Sequence, residues 1–261
     1  MIGDIIGESG LAACEALLPA LIAEKKSSLT VVNGENAADG FGITESESRR
    51  IFASGCDVIT TGNHVWEKRE AWPLMDATPT LLRPANYPPP ACGNGFTLLK
   101  KSGITFCVVN LQGREYLSNI DCPFRTFDAI YQEFVGGMPP SLPITIVDFH
   151  AESTTEKEAL GFYLDGRAAV VAGTHTHVQT TDSKILPAGT AYITDLGSTM
   201  TEDSVIGINK EICLLRAKTQ IAYPMKCAAG SACLSGIVVT IDTENGKALS
   251  IERFVRRCYT I

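Results

Sequence analysis

Five apolar runs in this chain each end in a short polar motif, and that recurrence limits the folds open to it. A very short first run leads into Gly3-Asp4. Residues 28–32 run into Asn33-Gly34-Glu35-Asn36, and residues 57–60 into Gly62-Asn63-His64. Residues 143–149 deliver His150, and residues 168–172 lead into Gly173-Thr174-His175-Thr176-His177. Helical patterns separate the early runs. Leu11, Leu17, Leu18, Leu21 and Ile22 have helical spacing within residues 10–25, and Thr44 with Glu47 has capping-box spacing for a helix that stops at Gly55. Strand, polar loop and helix in repetition predict βαβ units and a mainly parallel sheet. Functional groups then gather beyond the carboxyl ends of the strands.

The second half reads differently. Residues 96–99 and 104–110 flank Lys100-Lys101-Ser102-Gly103 as an antiparallel hairpin. Helices are predicted over residues 126–135 and 156–164, and later strands over 191–194, 236–241 and 249–254. A parallel first half and a hairpin-rich second half predict an α/β fold, a two-sheet sandwich flanked by helices. Neither a repeat nor a linker interrupts the pattern, so residues 1–261 read as one domain.

All four histidines of the chain, His64, His150, His175 and His177, fall in these motifs. Taken singly, each motif has a bland explanation. An Asp after a strand caps a helix or turns the chain, Asn33-Gly34 is a turn dipeptide, and a lone His near a strand is usually a satisfied core residue. His-x-His after a strand says more, because alternate strand residues face one side. Together the motifs offer carboxylate, amide oxygen and imidazole, a donor set suited to zinc, iron or manganese. Asp4, Glu35, Asn36, Asn63, His64, His150, His175 and His177 exceed what one tetrahedral ion needs. Two ions sharing a bridging carboxylate would use them, and such a pair suits in-line displacement at phosphorus.

In this order the motifs resemble those of the calcineurin-like metallophosphoesterases, and of their YmdB branch in particular, which is similar to bacterial cyclic-nucleotide phosphodiesterases. The resemblance runs to about Arg216. It implies that Asp4, Asn36 and His177 hold a first metal ion, that Asn63, His150 and His175 hold a second, and that Glu35 bridges them. It implies that His64 is the catalytic proton donor and binds no metal. The implied fold is the same two-sheet sandwich. Ile6 stands where the superfamily has the His of Asp-x-His, and Glu35 replaces the usual bridging Asp. Those departures favour iron or manganese, with zinc the third choice, as two divalent or mixed-valence ions. The implied reaction is hydrolysis of cyclic nucleotides, 2′,3′-cyclic ones favoured.

Arg83 and Arg114 are weaker candidates for phosphate contact, Phe41, Tyr87 and Phe124 for base stacking. Asp148, Glu152 and Asp195 are candidates to orient a ligating imidazole. A phosphomonoesterase or nuclease on the same centre, and a regulatory protein with a non-catalytic metal site, are the competing readings. The expected partner is a small phosphodiester, and homo-oligomers fit the sequence equally well. A formal charge of −7 opposes a general nucleic-acid surface. No apolar run is long enough for a membrane span. Nine cysteines without a Cys-x-x-Cys pair, and no secretion leader, fit the reducing cytoplasm.

Overall fold

The computed structural model describes residues 1–135 and 143–258. Its strands form two layers. In the first, β1 (Asp4–Ile5) pairs parallel with β10 (Ser198–Thr201), which pairs antiparallel with β11 (Ala232–Ile241), and β11 with β12 (Ala248–Cys258). Parallel β2 (Val31–Asn33) and β3 (Val58–Thr60) join this layer through Ile2, which bridges to Val32 and to Gly236. The second layer has six strands in the order β4-β5-β6-β7-β9-β8. They are β4 (Phe96–Lys101), β5 (Ile104–Gln112), β6 (Ile144–His150), β7 (Val170–Thr174), β8 (Lys184–Ile185) and β9 (Ala191–Ile193).

Period-two alternation sorts the strand side chains between the layers. Val31, Val58 and Ile237 meet Val108, Ile146 and Val170 in the core between the sheets. Their neighbours point outward. Val32 and Ile59 pack under Leu11, Leu18 and Leu21 of α1 (Gly7–Lys25) and Ile51 of α2 (Glu45–Ala53). Val109, Val147 and Val171 pack under Phe127 of α4 (Pro123–Ile130) and Leu160 of α5 (Thr154–Tyr163). Each such fully buried Leu or Val contributes about 1.5–3 kcal/mol. The result is the two-sheet sandwich flanked by helices that the sequence predicts.

Several details differ from the prediction. The second sheet is mainly parallel, since β5–β6, β6–β7 and β7–β9 are all parallel and only the edge strands β4 and β8 run the other way. Its strands are short continuous apolar runs, buried on both faces, which carry no clear sign of direction. Strand β2 starts at Val31 rather than residue 28, because the Thr30 amide donates to Asp57 and the Leu29 carbonyl accepts from Ser27. The helix predicted over 126–135 starts at Pro123, with proline at its first turn, and gives way to a π-helical turn at Tyr131–Val135. The capping box of Thr44 and Glu47 is present at the start of α2. Helices α3 (Ala71–Ala77) and α6 (Lys210–Thr219) lie outside the predicted elements.

The short first strand is held firmly nonetheless. Asp4 registers with Ser198 and Ile5 with Thr199. Gly3 lies so close to the next strand that an added Cβ would come within 1.9 Å of the Gly197 carbonyl oxygen. An apolar cavity of about 280 Å³ opens between the layers near Met1, Ile104, Ile144 and Val170. Those residues stand at or just before the beginnings of their strands. The polar motifs stand at the opposite, carboxyl ends, so the cavity and the chemistry are separate. No helix among the described residues is long and apolar enough to cross a membrane.

Candidate metal centre

The parallel strands bring their carboxyl ends to one edge of the sandwich, and the polar motifs follow. Asp4 lies in β1, while Glu35 and Asn36 follow β2 and Asn63 and His64 follow β3. His150 is the last residue of β6, and His175 and His177 follow β7. Across the sheet His150 registers with Thr174.

Four acceptor-type atoms converge on one point. His150 Nε2 lies 2.9 Å from Glu35 Oε1, 3.0 Å from Asn63 Oδ1 and 3.0 Å from His175 Nδ1. Glu35, His150 and His175 offer donor atoms within 4.8 Å of one another. A second corner lies beside them. There His177 Nε2 is 3.5 Å from Asp4 Oδ2, and Asn36 bridges to Ile6 next to the same strand. The two imidazoles of Thr174–His177 thus turn to different carboxylates.

The far nitrogen of each imidazole is already engaged. His150 Nδ1 is 2.9 Å from Thr174 Oγ1, His175 Nε2 is 3.0 Å from Glu152, and His177 Nδ1 is 3.2 Å from the Ile206 carbonyl. A proton on each far nitrogen satisfies these partners and leaves the inward nitrogen with its lone pair free. The Asn36 amide donates to the Gly40 carbonyl, which turns its oxygen inward. Asp4 Oδ1, Glu35 Oε1 and Asn36 Oδ1 are buried and receive no hydrogen bond. Buried oxygens without donors, facing imidazole lone pairs, are what a cation requires and what a protein core otherwise avoids. The residues fit a metal centre.

Charge coupling points the same way. Burial pushes the Asp4 carboxyl well above the usual range, the nearby His150 opposes this, and Glu35 adds to it. Burial would also raise Glu35, but a charged His150 2.9 Å away, with His64 and His175 behind, outweighs it and holds the group at about 2. Burial disfavours a charged His150, yet Glu35, Asp4 and Asp148 raise it to about 9. His175 is lowered to about 3 by burial and then by His150. Without a metal ion, a proton on His150 supplies the positive charge that these carboxylates demand.

The loop that carries two of the histidines is held under strain. His175 and His177 have φ of 99° and 66°, in a region that costs a non-glycine residue about 1–3 kcal/mol. Between them the Thr176 amide and hydroxyl both donate to Asp195, whose carboxylate also accepts from Lys157 at 2.7 Å in a buried ion pair. Strand alternation, the reason expected for the His-x-His spacing, is therefore not what sets it. Strand β7 ends at Thr174, and a left-handed turn, not a pleat, spreads the two rings.

One carboxylate ties together the segments behind the centre. Asp148 accepts from Thr60 at the end of β3, from Asn33 at the end of β2 (3.1 Å) and from Thr174 at the end of β7 (2.7 Å). Thr174 in turn meets His150, and Asn33 Oδ1 accepts the Glu35 amide. Asn33, a mere turn residue by its sequence, is thus part of the scaffold. Replacing Asp148→Asn presents an NH₂ to hydroxyl and amide donors. We expect metal affinity to fall about 10- to 100-fold, the usual effect of losing an outer-shell partner, measured by manganese titration. Unchanged affinity would show that the network is only structural.

Gly62 explains its own place in Gly62-Asn63-His64. A Cβ there would lie 2.2 Å from His150 Cδ2 and 2.3 Å from Glu35 Oε2, both on buried side chains. Gly62→Ala should therefore abolish metal uptake while far-UV circular dichroism stays unchanged. Retained uptake would mean that the strand end has room to move.

His64 stands at the rim, half-buried. Its backbone N–H donates to Glu35 Oε2 at 3.3 Å, its ring meets Phe41 edge-on at 5.0 Å, and Nδ1 is 3.6 Å from Glu67. Of the weaker candidates, Phe41 packs on His64, and the Tyr87 hydroxyl donates to Gln112, which registers with His150. Arg83 donates to the carbonyls of Pro84, Ala85, Ala91 and Cys92. Arg114 reaches Cys122, Tyr87 packs on Trp66, and Phe124 packs on Tyr163. Glu152 and Asp195 do meet the histidine loop, as described above.

A two-sheet sandwich with imidazoles and carboxylates at the shared carboxyl edge places the protein in the metallophosphoesterase class. Within it, the chain belongs to the YmdB-like family, whose pattern, described as "YmdB-like protein", matches residues 1–254. A 2′,3′-cyclic-nucleotide 2′-phosphodiesterase of Bacillus subtilis (strain 168) is 44% identical over 254 residues, covering 97% of this chain and 95% of that protein. A crystal structure of a hypothetical protein from Thermus thermophilus superposes with a TM-score of 0.90 at 38% identity, covering 98% of this chain and 97% of the other. A novel phosphatase from Mycoplasma pneumoniae superposes with a TM-score of 0.91 at 27% identity, covering 98% and 92%.

Proposed function

We propose that this protein is a dinuclear metal-dependent phosphodiesterase that hydrolyses cyclic nucleotides, 2′,3′-cyclic ones above all. The observation that carries the reading is the convergence of Glu35, Asn63, His150 and His175 with their acceptor atoms facing inward. The 44% identity to a phosphodiesterase of that specificity supports the substrate class. Asp4, Asn36 and His177 would hold the first ion, and Asn63, His150 and His175 the second, with Glu35 shared. Amide and carboxylate oxygens beside imidazole suit iron or manganese. When bound, two such ions supply the charge that acidifies water and neutralises phosphate oxygens. The nine cysteines are all unpaired thiols, which suits a reducing compartment such as the cytoplasm.

The chain's own residues do the rest. Glu35 keeps the charge of the centre balanced and anchors the amide of His64. The His64 ring, tied to the rim by that bond and by Phe41, delivers a proton from its imidazole to the departing ribose O2′. The Asp195–Lys157 pair and the Asp148 network fix the imidazoles so that no reorganisation is needed during reaction. The product would be a nucleoside 3′-monophosphate. The test is a panel of 2′,3′- and 3′,5′-cyclic nucleotides with manganese or iron present. Hydrolysis of 2′,3′-cyclic substrates to 3′-monophosphates is expected, and no turnover of any member would overturn the proposal.

A further inference from the structure

We propose that Tyr116 is a shelf on which the base of the nucleotide substrate stacks. This rests on the phosphodiesterase reading and extends it from the phosphate to the nucleoside. Tyr116 is 87% exposed, more than any other large hydrophobic side chain among the described residues. Its backbone φ is 64°, in the left-handed region that a bulky aromatic residue rarely enters. A residue is held in such a conformation only where the surroundings impose it, and such positions cluster at ligand sites.

Tyr116 is the third residue of a turn that the Leu117 amide closes on the Arg114 carbonyl at 3.3 Å, and that turn is anchored at its start. Gly113 donates to the carbonyl of His150, so the loop is rooted on a residue of the metal centre. The next two amides, of Arg114 and Glu115, donate to the buried carboxylate of Glu156 in the first turn of α5. Past that clamp the ring is held out from the surface. It lines an open, shallow cleft with Glu152, Ser153, Thr154 and Thr155. Glu152 sets the cleft against the outer side of His175, because its carboxylate is 3.0 Å from His175 Nε2. A substrate whose phosphate sits at the centre would have its nucleoside beside this cleft. Every base has a π-face, so a flat ring there binds nucleosides without choosing among them.

The shelf makes a prediction that a structural residue would not. The full chain loaded with manganese is assayed on 2′,3′-cyclic AMP and on methyl ribofuranoside 2,3-cyclic phosphate, which lacks the base. Tyr116→Ala should lower kcat/KM for the nucleotide by about 5- to 150-fold, the range of one base–aromatic stack, mostly through KM. The base-free compound should change less than about twofold, and Tyr116→Phe should behave as the parent. Equal loss on both compounds, or loss on neither, overturns the shelf. So does a Tyr116→Ala protein whose mass by light scattering has changed, since the ring then serves contact between copies. A binding arm keeps the two proposals apart. Tyr116→Trp fluorescence should be quenched by adenosine 3′-monophosphate and not by ribose 3-phosphate, whether or not any cyclic phosphate is hydrolysed. Failure of all turnover would then count against the phosphodiesterase reading, and absence of base-dependent quenching against the shelf.

Discussion

Replacing Glu35→Ala should leave a folded protein that binds well under one metal ion per chain and has lost its turnover. Glu35 is fully buried beside His150, and its charge reaches Asp4 and His177 in the other corner. One oxygen faces His150 and Asn63 without receiving a hydrogen bond, and the other accepts the His64 amide. Without it the second corner keeps only Asn63, His150 and His175, all neutral when ready to ligate. A divalent ion there would then rest on neutral groups in a buried place, which is unfavourable. The first corner would keep Asp4 alone as its anion. Turnover should fall at least about 10³-fold, the scale of removing a main stabiliser of developing charge. Metal content by mass spectrometry, beside far-UV circular dichroism, separates loss of the centre from loss of the fold. A Glu35→Ala protein that keeps two ions would refute the bridging role.

Replacing His64→Ala should do the opposite to the metal. The ring contributes no atom to the cluster of Glu35, His150 and His175, so ion content should stay at the parent value. Its proton should be missed in the chemical step, lowering kcat by about 10²–10⁴-fold for cyclic nucleotides. The size of the loss should depend on the leaving group. A ribose hydroxyl is a poor leaving group and needs the proton, whereas p-nitrophenolate leaves readily without one. Bis-p-nitrophenyl phosphate should therefore lose much less activity than 2′,3′-cyclic AMP. Equal losses on both would remove His64 from the role of proton donor. Lost metal would make it a ligand.

Much of this was legible in sequence because the chemistry sits at strand ends. Apolar runs mark the strands, and the polar residue that breaks each run is the one delivered to the sheet edge. That logic found Asp4, Glu35, Asn36, Asn63, His150, His175 and His177, and the structure places them along one edge. What it missed depends on contacts between distant segments. Asn33, Thr60 and Thr174 are ordinary residues in sequence, and all three donate to Asp148, 115 residues on from Asn33. The turn that separates His175 from His177 depends on a buried Lys157–Asp195 pair contributed by α5 and the segment after β9. Gly62 stands in sequence only as the start of a polar motif, and its need for bare backbone appears only once His150 lies across it. Tyr116 gave no signal, since an aromatic residue in a polar loop has no period to read. Direction in the second sheet is not legible for a related reason, as strands buried on both faces look alike whichever way they run.

The central claim is that the carboxyl edge of this sandwich holds two metal ions that share Glu35. The most direct test is the metal content and magnetic state of the parent protein reconstituted with manganese. About two ions per chain are expected, with the spin-coupled resonance signal of a pair about 3.5–4 Å apart. One ion or fewer, or two ions that give uncoupled signals, would contradict the account.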